Sequence, residues 1–432
     1  MVNWLEANVT PRFHLSLVIG HSSLLPMQRP SIWLMLVIFL ACLFALREPR
    51  LQRFDESFLR WTLKNSPPPH GPIPLTVVDI GEMESGKQPA PSGPTSVSPL
   101  EFALFLQAAL EFGPTVVGFE PVLQWSDREK DQQQIFLDQA IRVPKLLLGT
   151  ELTANPDVEA PAVDIPGFPQ VSGRRGDLPA FSGISRQPSE DLRIISTPGY
   201  VNLPPEVADE IHIPLLFQYR GEVIPSFPLQ AALLWMRVTP AEVKIDVGSY
   251  IYLPHGKKIP IRSDGTLLIN PKIVRGTRHL KLNELLLAAQ QQENKAAGAR
   301  QFEDIRETIV LARAPRDQPR LAEAFAGAIA TIQAGRYVHR VHWLFDVFFI
   351  IAVATVSGVA RRFSRIDLVL VAIAVTAAYC LLAIALIALW LIWLPAVLPL
   401  GTMWLLSLLC LFAPRSKMDP DLPTVAPPPP SP

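Results

Sequence analysis

The chemistry this sequence can offer rests on three acidic residues: Asp79, Glu120 and Asp317. Asp79 closes the apolar run PLTVVDI, and Glu120 lies within TVVGFEPVL, so each stands at the C-terminal end of a segment that reads as a buried strand. In an open α/β sheet that edge is where ligands bind. Two carboxylates there could hold a cation or a cationic ligand, or act as an acid/base pair. They could equally accept from backbone donors or from an arginine and do nothing further. Asp317 follows the segment that ends at Arg313; it could share the same edge or form an ion pair with Arg313, Arg316 or Arg320. We take Asp79, Glu120 and Asp317 as the candidate ligand-binding residues.

Other chemistries find no support in the residue pattern. The eight histidines show neither His-x-x-x-His nor His-Glu-x-x-His spacing, so no metal is expected. There is no glycine-rich phosphate loop and no Gly-x-Ser-x-Gly elbow. The three cysteines, Cys42, Cys380 and Cys410, all lie in apolar stretches, which excludes a disulfide-stapled domain and a cysteine nucleophile in the polar part of the chain. No cofactor and no catalytic residue are expected, and the chain reads as a non-enzyme, with a periplasmic hydrolase as the alternative. Lys+Arg and Asp+Glu balance at 39 each, which removes the field that would draw nucleic acid.

The elements that must position these carboxylates alternate along residues 48–336. Segments 74–80, 115–123 and 145–152 read as strands, and 100–113 and 129–142 as helices. Such alternation, with Val, Ile and Leu runs lacking period two, predicts a central, largely parallel sheet flanked by helices. Residues 153–191 are dense in Pro, Gly and Ser and read as an irregular loop. Beyond it, FPLQAALLWMRV reads as a helix, VKIDVGSYIYLP, KKIPI and TLLIN as strands joined by tight turns, HLKLNELLLAAQQQENKAAGA as a helix and DIRETIVLAR as a last strand.

At 49% apolar and 18% charged residues, the chain is too oily to be wholly water-facing. Residues 1–29 read as a cytoplasmic arm and 30–47 as a short first span. The remaining spans are 337–360, 366–393 and 396–413, with 414–432 a proline-rich, disordered tail. The fold class is therefore a membrane protein: an α/β domain with one N-terminal and three C-terminal transmembrane helices. Arg361, Arg362 and Arg365 mark a cytoplasmic loop, which puts the large domain outside. Asp346, near the outer end of the second span, either reaches the interface or pairs with another span. Residues 320–362 lack proline and read as one unbroken helix of roughly 60 Å, a rod from the domain into the membrane.

The order of several short motifs resembles the type-two CHASE family (cyclase/histidine-kinase-associated sensory extracellular). Arg53-Phe54-Asp55 with Leu59-Arg60 is similar to the family's opening after its first span. Val77-Val78-Asp79-Ile80 and Val117-Gly118-Phe119-Glu120 resemble its first two strand ends, with Glu120 where the family has Asp. Ile224-Pro225-Ser226-Phe227, Asp264-Gly265 with Leu268-Ile269-Asn270, and Ile309-Val310-Leu311 with Asp317 follow in the expected order. The resemblance implies a bacterial cell-envelope sensor in the inner (cytoplasmic) membrane, with its large domain periplasmic. It implies a small-molecule or envelope ligand and signal transduction through a separate membrane or cytoplasmic partner, and it leaves room for a homodimer in contact with membrane lipid. A tethered periplasmic enzyme and an envelope assembly factor are the competing readings.

Overall fold

A strand covered on both faces needs apolar side chains in both phases of its period-two alternation. The segments around Val77, Val117, Leu147 and Leu311 meet that requirement. A computed structural model of the protein describes residues 49–68, 71–81, 97–155, 165–294, 305–314, 323–341, 344–349, 351–352 and 365–412. The cytoplasmic arm, the first span, Asp317 and the proline-rich tail lie outside the described residues.

The chain begins with α1 (Pro49–Asn65), β1 (Leu75–Asp79), α2 (Pro99–Leu110), β2 (Val116–Phe119), α3 (Lys130–Ala140) and β3 (Leu146–Thr153). Then come β4 (Gln170–Gly173), β5 (Ala180–Phe181), β6 (Gly183–Arg186), α4 (Glu190–Ile195), β7 (Thr197–Tyr200), β8 (His212–Pro214), β9 (Leu216–Tyr219) and β10 (Glu222–Pro225). Helix α5 (Phe227–Met236) precedes β11 (Lys244–Val247), β12 (Tyr250–Tyr252), β13 (Lys258–Pro260), β14 (Thr266–Leu268) and β15 (Arg278–Lys281). The rest is α6 (Leu282–Glu293), β16 (Ile309–Arg313), α7 (Ala324–Ala334), β17 (His339–Arg340), α8 (Arg365–Trp390), β18 (Ile392–Trp393) and α9 (Val397–Phe412).

The main sheet runs β15-β1-β16-β2-β3-β7 in parallel, and β6 adds antiparallel to the far end of β3. It divides two cores. Leu75, Val77, Val116, Leu147, Ile309 and Leu311 enter one, beneath α5 and α7. Val78, Val117, Phe119, Leu148, Val310 and Ala312 enter the other, beneath α2, α3 and α6. Phe227 anchors α5 on the sheet, and truncating a buried Phe of this kind costs about 3–5 kcal/mol. Its ring fits because the strands beneath carry glycine: a Cβ on Gly199 would lie 2.5 Å from Phe227 Cδ2.

Several expectations need correction. Residues 153–191 are not irregular throughout, because β4, β5 and β6 each join a different sheet, pairing with β11, β9 and β3. Their Pro and Gly content hides strands that are too short for an alternation to register. Residues 279–281, expected as the start of a helix, belong instead to the edge strand β15, and α6 starts only at Leu282. Strand β2 stops at Phe119, so Glu120 follows the strand rather than lying inside it.

The rod is also wrong. Helix α7 ends at Ala334; Gly335 turns left-handed at φ 61°, its N–H donating to Ile332 O and that of Arg336 to Thr331 O. These paired bonds are a Schellman ending, which favours glycine at that site. The chain then forms β17, which pairs in parallel with β18 at the turn between α8 and α9. The stretch 337–360, expected as the second span, therefore opens with strand rather than helix, and helix returns within 344–349. The helix expected over 366–393 ends at Trp390, before Ile392–Trp393 become strand. Among the described residues one helix, Ile366–Trp390, is long and apolar enough to cross a membrane.

Candidate functional site

Register brings the predicted carboxylates together. Asp79 on β1 pairs with Arg313 on β16, and Ala312 pairs with Phe119, so Glu120 comes level with Arg313 on its other side. Period two then sends Asp79, Arg313 and Glu120 to the same face, the one carrying Val77, Leu311 and Val116. Arg313 Nε donates to Asp79 Oδ1 at 2.6 Å, and Glu323, just before α7, lies 4.0 Å from Arg313 Nη1. Asp79 is 28% exposed and Glu120 2%. Burial pushes the Arg313 pKa down, but the hydrogen bond to Asp79 and the charges of Asp79, Glu120 and Glu323 outweigh it and raise it. The edge is thus an arginine ringed by carboxylates, with Asp79 already engaged, and the sequence had placed Arg313 beside Asp317 instead. Asp317 lies outside the described residues. Among the described residues no group of three or more His, Cys, Asp or Glu side chains is placed to hold a metal ion.

A second polar cluster, at the opposite end of α1 from Asn65, joins the domain to the apolar helices. Leu59 and Leu63 on α1 bury against Ile211, Val338 and Ile387, and Phe58 packs against the cluster of Tyr379, Ala383, Leu394 and Ala396. This buried stripe leaves the polar residues of α1 facing two ways. Asp55, 5% exposed, accepts from the backbone nitrogens of Ala396 (2.9 Å) and Val397 (2.8 Å). It thereby caps α9 from a distant part of the chain, and its negative charge sits at the positive end of that helix. Asp346 is fully buried with its carboxylate 3.7 Å from Arg340 Nη2, and the Arg340 guanidinium lies 5.5 Å from the Trp393 ring centre.

On the domain side, Arg60 pairs with Asp209 and Glu56 with Arg262 at 2.8 Å. His212 links the two pairs, with Nδ1 3.1 Å from Asp209 Oδ2 and Nε2 2.6 Å from Arg262 Nη1. A guanidinium can only donate, so Nε2 accepts and the ring carries its proton on Nδ1. Burial pushes Asp209 up, but hydrogen bonds from His212 and from the backbone N–H groups of Ile211 and His212 bring its pKa down to about 2. A cavity of about 300 Å³ between Asp55, Arg262, Arg340 and Trp393 completes the junction. The sequence had flagged Asp55 and Asp346 singly; the partners of Asp55 lie more than 300 residues further along, which no local pattern reveals, whereas the cation beside Asp346 is the nearby Arg340.

The order of the parallel strands, with the arginine-centred edge and α1 folded back onto the apolar helices, can be compared with known families. The family model of the CHASE2 domain matches residues 34–359, most of the chain. The chain belongs to the CHASE2 family. CHASE2 domains are sensory and extracellular, in keeping with a sensory role for this one. A sensory extracellular domain and an apolar helix of spanning length together suggest a membrane protein. No curated protein and no solved structure matches the chain. The matched region of the CHASE2 chain takes in both the arginine-centred edge and the β17 linker.

Proposed function

We propose that this CHASE2 protein is a multi-pass sensor of the bacterial cytoplasmic membrane, with its α/β domain outside and its output in a separate partner. The observation that carries the reading is the junction. Asp55 caps α9, and β17 pairs with β18, so the domain's entry helix and exit linker both grip the outer turn between α8 and α9. A shift of the α/β domain must then move that turn or break these contacts, which gives a binding event a mechanical route to the membrane. The linker need not be a rigid helix for this. Arg361, Arg362 and Arg365 on the far side of the second span support the orientation.

The test of this arrangement is a topology map. A reporter active only in the cytoplasm should work when fused after Lys417 and stay silent when inserted at Gly173. The opposite pattern, or activity at both sites, would contradict the proposal.

A further inference from the structure

Strand β3 changes partners along its length. Its residues Leu147–Thr150 pair in parallel with Thr197–Tyr200 of β7, while Glu151–Thr153 pair antiparallel with β6, with a register break between Glu151 and Leu152. Two neighbours that leave one strand in opposite directions open a crevice, the kind of place where α/β sheets take ligands. A cavity of about 450 Å³ lies at this fork, within the range of small-molecule sites.

Its lining is mainly apolar, with Leu148 on β3 and Ile184 on β6, and five prolines stiffen the wall. Rigid walls lower the entropy lost when a ligand is ordered. Besides the small hydroxyls of Thr150, Ser196 and Thr197, the polar groups are the Tyr200 phenol, the Gln187 and Gln230 amides and the Arg193 guanidinium. No carboxylate lines the cavity among the described residues, and Arg193 is the one lining residue with a charge. Arg193 Nη1 donates to a neutral acceptor, the Gln187 side-chain oxygen, at 3.5 Å. Burial, reinforced by neighbouring Tyr219, raises the Tyr200 pKa and keeps the phenol a donor. The cavity thus offers donors and a positive charge to an apolar guest, with no carboxylate among the described residues that line it.

We infer that this cavity binds a small, mostly apolar monocarboxylate whose carboxylate meets Arg193 and Tyr200. The assignment deepens the sensory reading and rests on it only for what binding does next.

The test uses the full chain in lipid nanodiscs, with empty nanodiscs subtracted, titrated with 2-naphthoate, 4-tert-butylbenzoate and decanoate. At least one should bind at one site per chain, about tenfold tighter than its neutral amide, because a charge-assisted hydrogen bond is stronger than a neutral one. Arg193→Gln should erase that preference and leave amide binding unchanged. Ser196→Phe, at a half-buried lining position, should abolish both; circular dichroism checks its fold, and Thr197→Trp is the second blocking variant. If none of the acids binds the wild type, if Arg193→Gln keeps the preference, or if both folded blocking variants bind normally, the assignment is overturned. Binding that leaves amide exchange at the start of α9 unchanged would keep the site and refute the sensory reading instead.

Discussion

Asp55 Oδ1 lies 2.8 Å from the backbone nitrogen of Val397, the first residue of α9 and 342 positions further along the chain. A helix start normally takes its cap from its own flank. Here the residue before the helix is Ala396, whose side chain can accept nothing, and the acceptor comes from α1. Removing it should therefore loosen the α8–α9 hairpin and the domain together. Asp55→Ala is expected to destabilise the chain by about 1 kcal/mol, within the range for lost caps, with Asp55→Asn milder. Hydrogen exchange at the amides of Ala396 and Val397 should accelerate in step.

Gly335 supplies a second prediction, opposite in sign to what a continuous rod would give. Were it inside a helix, alanine would stiffen the helix; at φ 61° with open space around it, alanine adds no contact and must adopt a strained backbone. Gly335→Ala should lower stability by about 1 kcal/mol, read from the unfolding midpoint of the full chain.

The arginine-centred edge predicts strong non-additivity. Arg313→Leu leaves Asp79 and the buried Glu120 facing each other and should lose about 3 kcal/mol, as when a buried pair loses one member. Combining it with Asp79→Asn and Glu120→Gln should recover most of that loss. Denaturant titration of the single and triple variants decides; equal losses would mean the charges do not interact.

Asp209 gives a pH dependence. Its pKa in the folded protein, about 2, lies below the ordinary 3.8, so the stability it contributes is present above 3.8 and disappears as pH falls toward 2. The melting temperature should fall through that interval, and Asp209→Asn should flatten that part of the curve. A wild-type profile that the variant leaves unchanged would exclude Asp209 as the source.

The parallel sheet was legible because its strands are buried on both faces and so appear as uninterrupted Val, Ile and Leu runs, as in LTVVD and IVLAR. The short edge strands β4 to β6 and β15 were not, since four residues or fewer carry no readable period and their pairing is set by distant partners. Asp79 and Glu120 could be placed at the sheet edge from sequence because a strand end is a local property. That Arg313 stands between them depends on strand order, with β16 inserted between β1 and β2, and strand order is not written in any one segment. The rod failed for a local reason that was visible: Gly335 follows an Ala-rich helix, the position where a Schellman ending forms.

The central claim is that the domain's exit linker is latched to the outer turn of the membrane helices, outside the cytoplasm. The most direct measurement replaces His339 and Ile392, paired across β17 and β18, with cysteine in a chain whose Cys42, Cys380 and Cys410 are serine. Neighbouring strands run about 4.8 Å apart, within disulfide reach. In intact cells the account predicts that the pair forms an intramolecular disulfide, and that after reduction a membrane-impermeant thiol reagent labels both cysteines. Two free thiols that never cross-link, or thiols shielded until the membrane is opened, would contradict it.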